Sequence, residues 1–207
     1  MKGLRISDKG YPVPWFVEWI DGKPDFRVMS AEKMLTSIRF GNCWLCGIPV
    51  GVHKTFVIGP MCVVNRTTAE PPSHHDCAAF AAMACPFLTL PKAKRREANL
   101  PNHVAPAGFM IARNPGATCL YTTNSFKPYK AHTETGGGSG ILMELGEPTS
   151  VEWYALGQRC GRAAVLESID SGMHLLWAAA HMDRDIIQSL VDLENAYARA
   201  MSLLPAE

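Results

Sequence analysis

Cys43-Trp44-Leu45-Cys46, followed after 27 residues by His74-His75-Asp76-Cys77, is the stretch on which the reading of this chain turns. Two cysteines separated by two residues make a tight knuckle whose sulfurs converge. A His and a Cys three residues apart converge in the same way on one face of a helix. Three thiolates and one imidazole are the donors a tetrahedral zinc ion takes. Spacing also chooses between the two histidines. His74 and Cys77 share a helix side, whereas His75 and Cys77 stand about 200° apart at 3.6 residues per turn. The expected ligands are therefore Cys43, Cys46, His74 and Cys77. Cys62 is the rival for one position, because an apolar hairpin would carry it past the knuckle. Cys85 lies roughly 12 Å beyond Cys77 at 1.5 Å per helical residue, too far to join. Four protein ligands leave no place for a reactive water, so the zinc expected here is structural.

Outward from the knuckle, the apolar run Phe56 to Val64 reads as a hairpin. Ser73 with Asp76 three residues later is a variant capping box, which starts an alanine-rich helix at His74. Pro86 ends that helix. Upstream, Trp15–Ile20 and Asp25–Met29 flank the turn Asp21-Gly22-Lys23-Pro24 and read as a β-hairpin. Ser30 then caps a short helix, with Met34, Leu35 and Ile38 inside, that delivers the chain to Cys43. Tyr11, Trp15, Phe16 and Trp19 read as core.

Downstream lies the one dense basic run, Lys92-Ala93-Lys94-Arg95-Arg96, and then proline-containing coil to about Pro106. Strand patterns follow at Phe109–Ala112, Cys119–Thr123 and Ile141–Leu145, with a glycine-rich loop over Gly136–Gly140. From Pro148 the pattern reads as helix to the end. Thr149 or Ser150 caps, segments cover Val151–Gly157 and Ala163–Ile169, and Gly172 breaks the run. Ile186, Leu190, Leu193, Tyr197, Met201 and Leu204 mark a last amphipathic helix. The fold class is α+β: a zinc-stabilised module over 1–100, a small antiparallel sheet over 106–147, and a helical segment over 148–207, able to form one compact domain.

At 47% hydrophobic and 19% charged residues the chain can bury a core, which excludes general disorder. No apolar run approaches the ~18 residues that span a bilayer, and the start lacks a signal-peptide pattern. Seven unevenly clustered cysteines suit a reducing compartment. A cytoplasmic protein is expected. Residues 1–100 carry 13 Lys/Arg against 8 Asp/Glu, an excess of positive charge on the zinc side. Lys92, Lys94, Arg95 and Arg96 are the candidate phosphate contacts. The glycine-rich loop lacks the Gly-Lys-Ser/Thr ending of a phosphate-binding loop. Nothing around the knuckle has the strand–helix context of a redox pair.

Knuckle, hairpin and a helix with two ligands in its first turn resemble the treble-clef zinc proteins, over residues 43–85. Among these, HNH-type nucleases are the enzymatic relatives. That resemblance implies a histidine at the end of the hairpin, where this chain reads Gly59-Pro-Met-Cys-Val-Val-Asn-Arg66; His53 and His75 are the remaining candidates. The strings Cys43-Trp-Leu-Cys-Gly47, Glu70-Pro-Pro-Ser-His-His-Asp-Cys77 and Ala84-Cys-Pro-Phe-Leu88 are similar to proteins of bacteria and their phages that have no assigned activity. The expected function is a zinc-stabilised binding protein contacting nucleic acid or a partner protein, with no small-molecule substrate. A degenerate HNH-like, metal-dependent hydrolase is one alternative, and a phage-encoded inhibitor of a host protein is another.

Overall fold

The computed structural model describes residues 3–90, 92–93, 114–132 and 139–206. The chain begins with β1 (Val17–Ile20), β2 (Lys23–Met29) and α1 (Ala31–Phe40). Next come β3 (Lys54–Ile58), α2 (Pro60–Asn65), β4 (Thr67–Thr68), α3 (His75–Ala84) and α4 (Pro86–Thr89). The second half holds β5 (Ala117–Thr123), β6 (Phe126–His132), β7 (Ser139–Leu145), β8 (Pro148–Ala155) and β9 (Gln158–Arg159), then α5 (Arg162–His181) and α6 (Ile186–Met201). The class is α+β, with small antiparallel sheets. Among the described residues no helix is long and apolar enough to cross a membrane.

The first hairpin forms where its sequence predicts, but its turn is shorter than expected, because Lys23 and Pro24 belong to β2. Asp21 (φ 48°) and Gly22 (φ 77°) are both left-handed, the two-residue turn an Asp-Gly pair favours because its twist matches the strands. Three other expectations are corrected. Phe56 to Val64 is not a hairpin: β3 ends at Ile58, and Pro60 opens α2 at a first helical position. Proline suits that position because its φ is preset and its missing N–H would have had no partner. Val151–Gly157 does not open a helix: residues 148–155 form β8, paired along the whole of β5. Its aromatic and β-branched residues gain more by packing on a pleated sheet than as a helical turn. Gly172 breaks nothing, since α5 runs through it. A Cβ there would sit 2.8 Å from Met61 Sδ, so glycine allows α2 and α5 to approach closely.

The main sheet has the order β3-β5-β8-β9. Every residue of β5 is buried, as expected of a central strand covered on both faces. Side chains alternate between two cores. Leu120 and Tyr154 meet Ala78 and Ala82 of α3 on one face. Phe56, Ile58, Cys119, Tyr121 and Trp153 join Val165, Ile169 and Leu193 in a larger core beneath α2, α5 and α6 on the other. Strands from the segments 1–100, 106–147 and 148–207 thus meet in one sheet. A smaller sheet, β4-β7-β6, lies beside it. The strand expected at Phe109–Ala112 and the loop residues Gly136–Gly138 fall outside the described residues.

Candidate metal centre

Three local structures bring the four expected ligands together. The knuckle is closed by Cys43 N–H donating to the Ile48 carbonyl (2.7 Å), Gly47 N–H to the Cys43 carbonyl (2.8 Å) and Val50 N–H to the Gly41 carbonyl (2.8 Å). Gly47 sits at φ 79°, and a Cβ on it would lie 2.8 Å from the Trp15 ring, so both its backbone and its neighbour require glycine. Strand β3 supplies the second structure. Thr55 and Ser73 exchange backbone hydrogen bonds of 3.0 and 2.7 Å, which fixes the chain just before the histidines. The third is the start of α3. His74 is its N-cap, in extended conformation (φ −61°, ψ 149°), and Cys77 lies within the first turn. Ser73 is therefore not the cap, contrary to the capping-box expectation. The Ser73 side chain is buried and instead helps hold the Cys43 thiol down.

The ligand atoms of Cys43, Cys46, His74 and Cys77 all lie within 4.8 Å of one another, close enough to hold one metal ion. His74 Nδ1 is 3.4 Å from Cys46 Sγ and 3.9 Å from Cys77 Sγ. The other ring nitrogen, Nε2, lies 3.0 Å from the Pro49 carbonyl oxygen. A carbonyl can only accept, so Nε2 carries the proton and the Nδ1 lone pair faces the three sulfurs. An outer hydrogen bond of this kind fixes a ligating imidazole's tautomer and angle. Cys46 N–H also points at Cys43 Sγ, 3.5 Å away.

The charges within the cluster favour a cation. Burial alone would raise the Cys43 thiol. Donation from Cys46 N–H, His74 N–H, the Ser73 hydroxyl and Leu45 N–H outweighs it and brings the group down to about 7. Burial pushes Cys77 up to about 12, and the neighbouring Cys43 and Cys46 sulfurs add to the rise. Cys46 is raised too, chiefly by burial. Three thiolates cannot share this site without a compensating charge, which a divalent cation would supply.

The remaining candidates stand elsewhere. Cys62 lies on α2, outside the cluster, as does Cys85, the residue between α3 and α4. His53 Nδ1 contacts the Asn124 side chain (3.1 Å). Lys92 is exposed, and Lys94, Arg95 and Arg96 lie outside the described residues. The sequence reading missed the anchor of α3. His75 Nε2 donates to Glu152 Oε1 (2.8 Å), whose other oxygen accepts from Arg159 (2.5 Å) and Tyr154 (3.2 Å). The residue next to a ligand thus ties the helix to β8. The alternating polar and apolar run Val151-Glu-Trp-Tyr154 was the signal for that strand. Compared with known proteins, the chain matches no family model, no curated relative and no solved structure.

Proposed function

We propose that this chain is a non-catalytic binding protein stabilised by a structural zinc ion held by Cys43, Cys46, His74 and Cys77. The convergence of three sulfurs and an oriented imidazole within 4.8 Å carries the reading. A donor set of three sulfurs and one nitrogen suits tetrahedral zinc, and four protein donors leave no open position for substrate or water. The zinc would hold the knuckle against α3, in the manner of a treble clef whose hairpin is replaced by β3 and α2. Cysteine-rich ligation of this kind belongs with a reducing, cytoplasmic setting. The phage or bacterial context rests on the sequence strings alone.

The chain is proposed to meet nucleic acid through Lys92, Lys94, Arg95 and Arg96. The positive excess of residues 1–100 supports that choice. Filter binding with duplex and single-stranded oligonucleotides across a salt series tests it. Affinity should fall steeply with salt and drop when Lys94, Arg95 and Arg96 are changed together to Ala. Affinity unchanged by the triple substitution would remove the nucleic-acid partner and leave a protein partner as the reading to pursue.

A further inference from the structure

Beside the metal centre lies a cavity of about 370 Å³ that the structural role of zinc does not use. Its size falls in the ~300–1,000 Å³ range of small-molecule sites. Phe16, Trp44, Leu45, Met61, Phe87 and Leu88 give it an apolar lining drawn from the turn before β1, the knuckle, α2 and α4. The knuckle wall is built before any ligand arrives. Phe16 stacks on Trp44 with centroids 4.7 Å apart and planes 12° from parallel. The Trp44 backbone N–H donates to the Pro72 carbonyl (2.9 Å), and Trp44 is only 2% exposed. A pre-ordered wall spares a ligand the entropic cost of arranging it.

Charge narrows the class of occupant. Among the described lining residues Glu70 is the one carboxylate, and there is no Lys, Arg or His. Glu70 is exposed, which puts it at the mouth. Burial, with the Glu70 charge adding, holds the Cys62 thiol up at about 11, so that part of the wall stays neutral. An anion would find no cation among the described lining residues. The sulfurs of Met61, Cys62 and Cys85 offer polarizable contacts that suit aromatic ring edges.

We propose that this cavity binds a compact aromatic molecule carrying no negative charge. The proposal goes beyond the binding-protein reading and stands or falls separately from it. Trp44 and Leu45, between two metal ligands, do make the cavity share a wall with the metal centre.

The test titrates the full chain, as purified, with phenylnaphthylamine, a neutral fluorescent probe, and with its anionic counterpart anilinonaphthalenesulfonate. Saturable binding of one neutral probe per chain is expected, with the sulfonate at least about tenfold weaker. Ala81→Leu, on α3, and Leu88→Trp, on α4, each add bulk to the lining from different elements. Each should weaken the neutral probe at least about tenfold while metal content and circular dichroism stay as in the parent chain. Should either variant fail to fold, the other locates the site. No saturable binding, equal binding by the filled variants, or tighter binding of the sulfonate would overturn the proposal. Metal content measured on the same samples shows separately whether the zinc reading has failed.

Discussion

The two sides of β3 are held together by different physics. On the side of α5 and α6 a continuous hydrocarbon core runs from Phe56 and Ile58 through Tyr121, Met143 and Trp153 to Ile169, Leu193 and Leu204. On the knuckle side the buried cluster is smaller: Cys43, Leu45 and Cys77, with Phe16, Cys46, Val50 and Ala81 partly covered and Trp44 buried against Phe16. Cys43 and Cys77 in that cluster are candidate metal ligands, so the loop that carries them has less apolar area to stabilise it than the other side has. Small modules of this kind fold on metal, whereas the sheet and helices have enough hydrocarbon to fold by burial. If the proposed zinc is bound, the chain combines a metal-dependent face with a metal-independent support.

Metal removal should separate the two most strongly, because structural zinc in small modules binds with on the order of 10 kcal/mol or more of free energy. With a chelator, hydrogen exchange should show protection lost at the Cys43, Gly47 and Val50 amides while β5 and α5 keep theirs. Simultaneous loss in both regions would break the comparison. Next in size is Ile169→Ala in the hydrocarbon core, where Ile169 is fully buried. It should cost about 2–5 kcal/mol in denaturant unfolding. Metal content of the folded variant should be unchanged; a variant that folds but loses zinc would show the sides to be one unit.

Gly172→Ala forces a Cβ against Met61 and should cost about 1–3 kcal/mol, partly offset by about 1 kcal/mol of helix propensity. A double variant with Met61→Ala should be less unstable than the sum of the two singles, which a double-mutant cycle measures. The smallest effect belongs to the link between the two sides. Burial alone would raise the Glu152 carboxyl. Hydrogen bonding and charge from His75, with Arg159 and Tyr154, outweigh it and hold the group below the ordinary carboxylate range. A depressed carboxyl contributes stability above its unfolded pKa and loses it as pH falls through the folded value. Glu152→Gln should therefore cost at most about 1 kcal/mol at neutral pH, since His75 is 45% exposed and the pair is screened. The gap in unfolding midpoint between variant and parent should close in acid. A gap that widens in acid would contradict this.

Much of the metal side could be read directly from the residues, because ligand chemistry leaves a spacing that survives any uncertainty in secondary structure. Cys43, Cys46, His74 and Cys77 were separable from His75 by helical angle alone, even though His74 is in fact the cap. The hydrocarbon side was harder. Residues 56–64 are apolar throughout, and such a run does not distinguish a hairpin from a strand followed by a helix. Pro60 was the discriminating residue. Residues 148–155 carry Thr149 and Ser150, which serve equally as helix caps or strand residues, and only pairing with the buried β5 decides between them. Gly172 reads as a breaker locally, but its role is set by Met61, more than a hundred positions earlier in the chain. The Pro49 carbonyl that orients His74 is a backbone group and leaves no mark in side-chain identity.

Elemental mass spectrometry of the purified chain, beside the double variant Cys43→Ser, Cys77→Ser, tests the central claim most directly. The account predicts one zinc per chain in the parent. In the variant it predicts none, with order lost around the knuckle. A folded parent chain that contains no metal would contradict it.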